Sequence, residues 1–130
     1  MKFTAITEHH LYDKTFQRGA RFVGRFVSVH VLRDYTAKRR MLAHPMKIYT
    51  NRIGLSVTKR IGGAVERNRA KRIIRAALRG VEASSPLKTG YLVVISARPT
   101  IAGRTSTEIE KELRYCFHKL DMFAKADPET

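Results

Sequence analysis

Residues 52–79 read RIGLSVTKRIGGAVERNRAKRIIRAALR, and the period of the apolar positions changes at the glycine pair. From Arg52 to Lys59 the chain alternates. Ile53, Leu55 and Val57 take the core side of an extended strand, and Gly54, Ser56 and Thr58 take the other. Gly62-Gly63 breaks the strand. Beyond it, at about 100° per residue, Lys71, Arg75, Asn68, Arg79 and Arg72 share one stripe of a helix. Val65, Ile73, Ala76, Ala77, Ala70 and Ile74 cover the opposite side, and the helix is expected to end near Gly80. A strand followed by a helix that docks by one face is an α/β unit. The helix's other face is a row of cations, with no acid between Arg67 and Arg79. Guanidinium forks match phosphate oxygens two at a time. A merely solvated face usually mixes both signs, so a polyanion is the partner this row fits.

Outward from this unit, Thr7 and Glu8 mark a helix start, with the helix over Glu8–Gln17 and a stop at Gly19. Phe22 to Leu32 reads as one β-branched strand. Val27, Val29 and Val31 share one side of it, and Phe26, Ser28 and His30 the other. Residues 34–51 form a long polar connection with Lys38-Arg39-Arg40 inside it, read as a mobile basic hairpin or loop. Downstream, Ser84-Ser85-Pro86 is a loop. Tyr91–Ala97 is continuously apolar, as in a central strand covered on both faces. Thr107 with Glu110 suggests a capping box for a last helix buried through Ile109, Leu113, Cys116, Phe117 and Leu120. The order is α-β-β-α-β-α in one domain over residues 1–130, with its core over about 8–122 and frayed ends.

Composition bounds the class. The chain has 130 residues, 43% of them hydrophobic, and a formal net charge of +15. Between Lys14 and Thr107 there are 21 Lys and Arg against three acids, Asp34, Glu66 and Glu82. Such an imbalance points to an extended polyanion bound in a salt-sensitive way. A membrane surface fits less well, because the basic helix carries no large aromatic wedge. No secretory signal and no apolar run of membrane-spanning length is read. The single cysteine, Cys116, cannot form an internal disulfide, which suits a reducing cytoplasm.

Catalytic signals are weak. The five histidines are scattered, His9-His10 point different ways on a helix, and no phosphate-cradling glycine loop occurs. Three acids across the basic region leave little to hold a catalytic metal. The aromatics offer more. Tyr12 and Phe16 lie four apart on the first helix, so they share a face. Either they pack in the core or they stack on unpaired bases. His30 shares its strand face with Ser28, and an uncovered polar and aromatic face would make a groove.

The stretch Gly54 to Arg72 strongly resembles the signature of the bacterial ribonuclease P protein family, G-L-x-V-S/T-K-K/R-x-G-x-A-V-x-R-N-R-x-K-R. Arg67-Asn68-Arg69 matches its RNR motif in full. The likeness extends from about Leu11 to Leu120, through Tyr12 to Phe16, Arg18-Gly19, the Arg25 strand and Val94-Ile95-Ser96-Ala97-Arg98-Pro99. The resemblance implies a mixed α/β (α+β) two-layer sandwich like the second domain of a small-ribosomal-subunit protein. It also implies a left-handed crossover around the RNR helix, against the usual hand. By the same resemblance the protein partners a catalytic RNA, which holds magnesium and cuts the 5′ leader from precursor tRNA. No catalytic residue, no metal ligand and no oligomer is then required of the protein itself. Carried over by position, Arg67, Asn68, Arg69, Lys71, Arg72 and Arg75 would contact the catalytic RNA. Tyr12, Phe16, Arg25, His30, Ser56 and Lys59 would line the leader groove. His30 departs from the aromatic that many members place there, and the 34–51 connection is longer than usual. Glu66, an acid before the motif, suits a helix N-terminus.

Competing readings are a general RNA-binding or chaperone protein, a DNA-binding regulator and a protein-only nuclease. The second lacks a supporting helix and base-reading side chains. The third lacks a metal site.

Overall fold

The computed structural model describes residues 4–35, 39, 42, 43 and 51–124. Five strands form one sheet: β1 (Thr4–Ala5), β2 (Ala20–Val23), β3 (Val27–Arg33), β4 (Arg52–Ser56) and β5 (Tyr91–Ala97). Packed on it are the helices α1 (His9–Arg18), α2 (Ala64–Ser84) and α3 (Ser106–Lys119). The strand order is β1-β4-β5-β3-β2. β4 runs parallel to β1 and β5, whereas β3 runs antiparallel to β5 and β2. The β4–α2–β5 segment is the crossover between neighbouring parallel strands.

The pleat divides the strand residues between two faces. Val27, Val29, Val31, Val93 and Ile95 lie under α2 and α3, and meet Ala70, Ile74, Ala77, Leu78, Val81, Ile109, Leu113, Cys116 and Phe117 in one dry cluster. Each of the larger side chains contributes about 1.5–3 kcal/mol by leaving water. On the opposite face Leu92, Val94 and Ile6 form a smaller cluster, with Leu11, Tyr12 and Leu32 packed against it. The expected sandwich is therefore the sheet against α2 and α3, with α1 as a partial third layer. β5 is central and its Leu92–Ile95 are all buried, as its unbroken apolar run indicates.

Several local expectations change. The single strand over 22–32 is a hairpin: Ala20–Val23 folds back on Val27–Arg33 through Gly24-Arg25-Phe26. Alternation stops at the turn, so Phe26 leaves the Ser28 and His30 face and packs against the α2–α3 cluster. Val65 is 77% exposed rather than docked, because it sits in the first turn of α2, before the helix reaches the sheet. Leu78 takes a core position instead. α2 continues past Gly80 to Ser84, since Val81 and Glu82 still bury against the body. The capping box is Thr105 with Glu108, two residues before the expected pair, and the helix stops at Lys119. Glu8, not Thr7, is the N-cap of α1, and it makes no side-chain cap bond.

Most of residues 34–51, and the tail 125–130, lie outside the described residues. The ends of that connection are firmly anchored. Asp34 accepts from Arg52 Nε at 2.6 Å and Nη2 at 2.9 Å. Asn51 donates to the Lys88 carbonyl at 2.8 Å and accepts from the Tyr91 N–H at 2.9 Å.

Candidate nucleic-acid interface

α2 carries the basic face. Gly62, at φ 140°, turns the chain from the short 3₁₀ segment Lys59–Ile61 into α2, a conformation that disfavours any side chain. Glu66 stands in the first turn, where a negative charge favours the helix N-terminus. Asn68, Arg69, Arg72, Arg75 and Arg79 are exposed, while Arg67 and Lys71 are partly covered. Among the described residues none of these cations has an acidic partner. Arg69 alone makes a bond, donating from Nη2 to the Arg104 carbonyl at 3.3 Å. The remaining guanidinium groups are free to meet phosphates.

The second part is the α1 face of the sheet. Strand register builds it in rows: Arg52, Leu92 and Leu32; then Gly54, Val94 and His30; then Ser56, Ser96 and Ser28, with Val23 beyond. α1 covers the first two rows. Tyr12 lies directly on Gly54, where a methyl group would come within 2.6 Å of the tyrosine ring and hydroxyl. Phe16 meets His30 edge-on at 4.7 Å between ring centres, and is itself 36% exposed. The serine row stays partly open. It forms a floor of hydroxyls bordered by Phe16 and the exposed Val23.

Tyr12 is thus half core and half wall, whereas Phe16 is largely wall. His30 is 7% exposed and its Nδ1 has no hydrogen-bond partner among the described residues. Burial, with the Arg21 charge second, holds its pKa below 6.5, so the ring is neutral at pH 7 and above. Burial pushes the Cys116 thiol up to about 12, which makes it an inert core group.

The two parts meet at one end of the sheet. Lys59 follows β4, Arg98 follows β5, and Arg25 tips the β2–β3 hairpin on the far side of β5 at the same end. Arg25 is therefore on a turn at the end of the groove, not on a strand beside His30. Arg104 links the hairpin to α2, because its guanidinium lies over the Phe26 ring at 5.3 Å while its carbonyl receives Arg69. Sequence reasoning put Ser28 on the groove face beside His30 without naming it a site residue, and passed over Ser96, Val23, Arg98 and Arg104. Strand pairing is the signal that would have found the serines. Among the described residues no three His, Cys, Asp or Glu converge on a point that could hold a metal ion.

A basic helix beside a half-open groove, on a mixed α+β sheet, is the arrangement of an RNA-binding protein. The ribonuclease P family profile matches residues 1–121. The chain is 31% identical to the ribonuclease P protein component of Dehalococcoides mccartyi (strain CBDB1), over 96% of this chain and 91% of that protein. It is 32% identical to the one from Clostridium acetobutylicum, over 92% and 90%. The Staphylococcus aureus RNase P protein structure has a TM-score of 0.72 at 21% identity, covering 95% of this chain and all of that one. The Thermotoga maritima RNase P protein gives 0.65 at 16% identity, covering 85% and 92%. These two show the shared fold. The chain belongs to the ribonuclease P protein component family, and so to the tRNA-processing endoribonuclease that this protein forms with an RNA partner.

Proposed function

We propose that the two parts of the interface divide the work. Arg67, Asn68, Arg69, Lys71, Arg72 and Arg75 on α2 contact the catalytic RNA. The groove of Tyr12, Phe16, His30, Ser56 and Lys59, with Arg25 at its mouth, takes the single-stranded 5′ leader of precursor tRNA. The observation that carries this reading is the pairing of α2 cations that have no acidic partner among the described residues with a serine-floored groove that α1 leaves open.

The protein neutralises phosphates, stacks leader bases and orients the strand. Bond cleavage is the work of the RNA subunit. Its magnesium is assigned to the RNA as well, a reading supported by the scarcity of acids in the basic region, three between Lys14 and Thr107. In this reading the β4–α2–β5 crossover is left-handed and the holoenzyme works in the cytoplasm.

Reconstitution tests the proposal. Protein added to its cognate RNA should permit 5′ cleavage of precursor tRNA at low magnesium, where the RNA alone is slow. Protein without RNA should cleave nothing. Metal-dependent cleavage by the RNA-free protein would overturn the assignment.

A further inference from the structure

The Gly24-Arg25-Phe26 turn is bonded at every backbone polar group. The Glu112 carboxylate, from α3, accepts the N–H of Arg25 at 2.6 Å, of Phe26 at 2.7 Å and of Val27 at 2.8 Å. Gly24 N–H reaches the Val27 carbonyl at 2.8 Å. On the other side Arg98 Nη1 donates to the Gly24 carbonyl, Thr100 Oγ1 donates to the Arg25 carbonyl, and the Arg98 N–H reaches the Phe26 carbonyl at 2.9 Å. The approach is close enough that a methyl group on Gly24 would come within 2.7 Å of the Glu112 carboxyl carbon.

An exposed three-residue turn needs no such support for stability alone, since water can satisfy its backbone. Glu112 is also an acid in a protein built to bind a polyanion. It makes no ion pair among the described residues, and its charge goes entirely to this backbone. Among the described residues the one group of the turn left without a partner is the exposed Arg25 side chain, at the same end of the sheet as Lys59 and Arg98. Fixing a turn in advance lowers the ordering cost that its side chain otherwise meets on binding.

We propose that Glu112 is a positioning residue for RNA binding, holding the turn so that Arg25 stands ready at the mouth of the leader groove. This rests on the functional reading above and adds to it an acid that promotes binding to an anion.

The sign of the effect makes the proposal testable. Glu112→Gln removes one negative charge and makes the protein one unit more positive, so long-range electrostatics alone would tighten RNA binding and steepen its salt dependence. Positioning requires the reverse, a loss of about three- to tenfold in holoenzyme affinity for precursor tRNA, comparable to one ordinary hydrogen bond. Thr100→Val removes another pin of the same turn with no charge change, and should act in the same direction. In an Arg25→Ala background neither substitution should lower affinity further. Thermal melts and circular dichroism on each variant identify any that fail to fold, and the double-mutant comparison reads coupling to Arg25 that a general loss of stability would not produce. Unchanged or tighter binding by E112Q, or an equal loss in the Arg25→Ala background, would overturn the proposal. If Arg25→Ala itself binds normally, the proposal fails and Arg25 leaves the leader site. The α2 interface is then still judged separately by its own variants.

Discussion

The two faces of the sheet are built from the same strands and end in opposite states. Under α2 and α3, Val27, Val29, Val93 and Ile95 are fully buried against two long helices. Under α1, a ten-residue helix covers two rows of side chains and leaves the third, Ser56, Ser96 and Ser28, partly open. One face is closed by apolar packing. The other is kept polar where it is uncovered, so it can hold a wet, exchangeable strand of RNA without exposing a large apolar patch. In the proposed division of labour, stability belongs mainly to the first face and leader recognition to the second, while α2 closes the first face and presents its cations outward.

The largest expected effect is on the closed face. Phe117→Ala removes a fully buried ring from the centre of the cluster, at a cost of about 3–5 kcal/mol. The melting temperature should fall by more than about 10 °C. A drop of only a degree or two would mean that the two faces do not differ in this way.

Next comes the outward side of α2. Replacing Arg72 and Arg75 together by Ala should weaken binding to the catalytic RNA by roughly ten- to a hundredfold, with an unchanged thermal melt, because both side chains are exposed. The slope of log affinity against log salt should become shallower by roughly 1.4–1.8 units for two lost phosphate contacts. An unchanged slope would place the RNA elsewhere.

The smallest effect is a pH dependence on the open face. His30 has its folded pKa held below 6.5 by burial and by Arg21. Between that depressed value and 6.5 the unfolded chain binds more protons, so stability rises with pH there. It should be flat above about pH 7 and decline as pH falls through 6.5. A His30→Gln variant should lose that part of the decline, as read from melts at a series of pH values. A profile identical to the wild type would show that His30 is not the group responsible.

Legibility differed between the faces for a physical reason. The closed face obeys local periodicity, so Val27, Val29, Val31, Ile74, Ile109 and Phe117 could be placed from spacing alone. The cation stripe of α2 was equally local. The hairpin was not, because Gly24-Arg25-Phe26 lacks a strong turn dipeptide and sits between two β-branched runs that read as one. The serine row comes from three separated strands and exists only through their register. Glu112 lies 85 to 87 residues from the groups it binds, beyond the reach of any sequence pattern. Val65 misled for the opposite reason, since it fits the apolar stripe but sits in a first turn that has nothing to pack against.

The division of labour is tested most directly at Phe16, the aromatic that stands between the faces' two roles. Measure holoenzyme affinity for precursor and for mature tRNA with wild-type protein and with Phe16→Ala, alongside the melt of each protein. The wild type should favour the precursor, because only it has a leader to stack, at roughly 1–3 kcal/mol per base. Phe16→Ala should cut that preference by about tenfold, with mature tRNA binding and the melt nearly unchanged. Equal loss for both ligands together with a depressed melt would make Phe16 part of the core and contradict the placement of the leader groove.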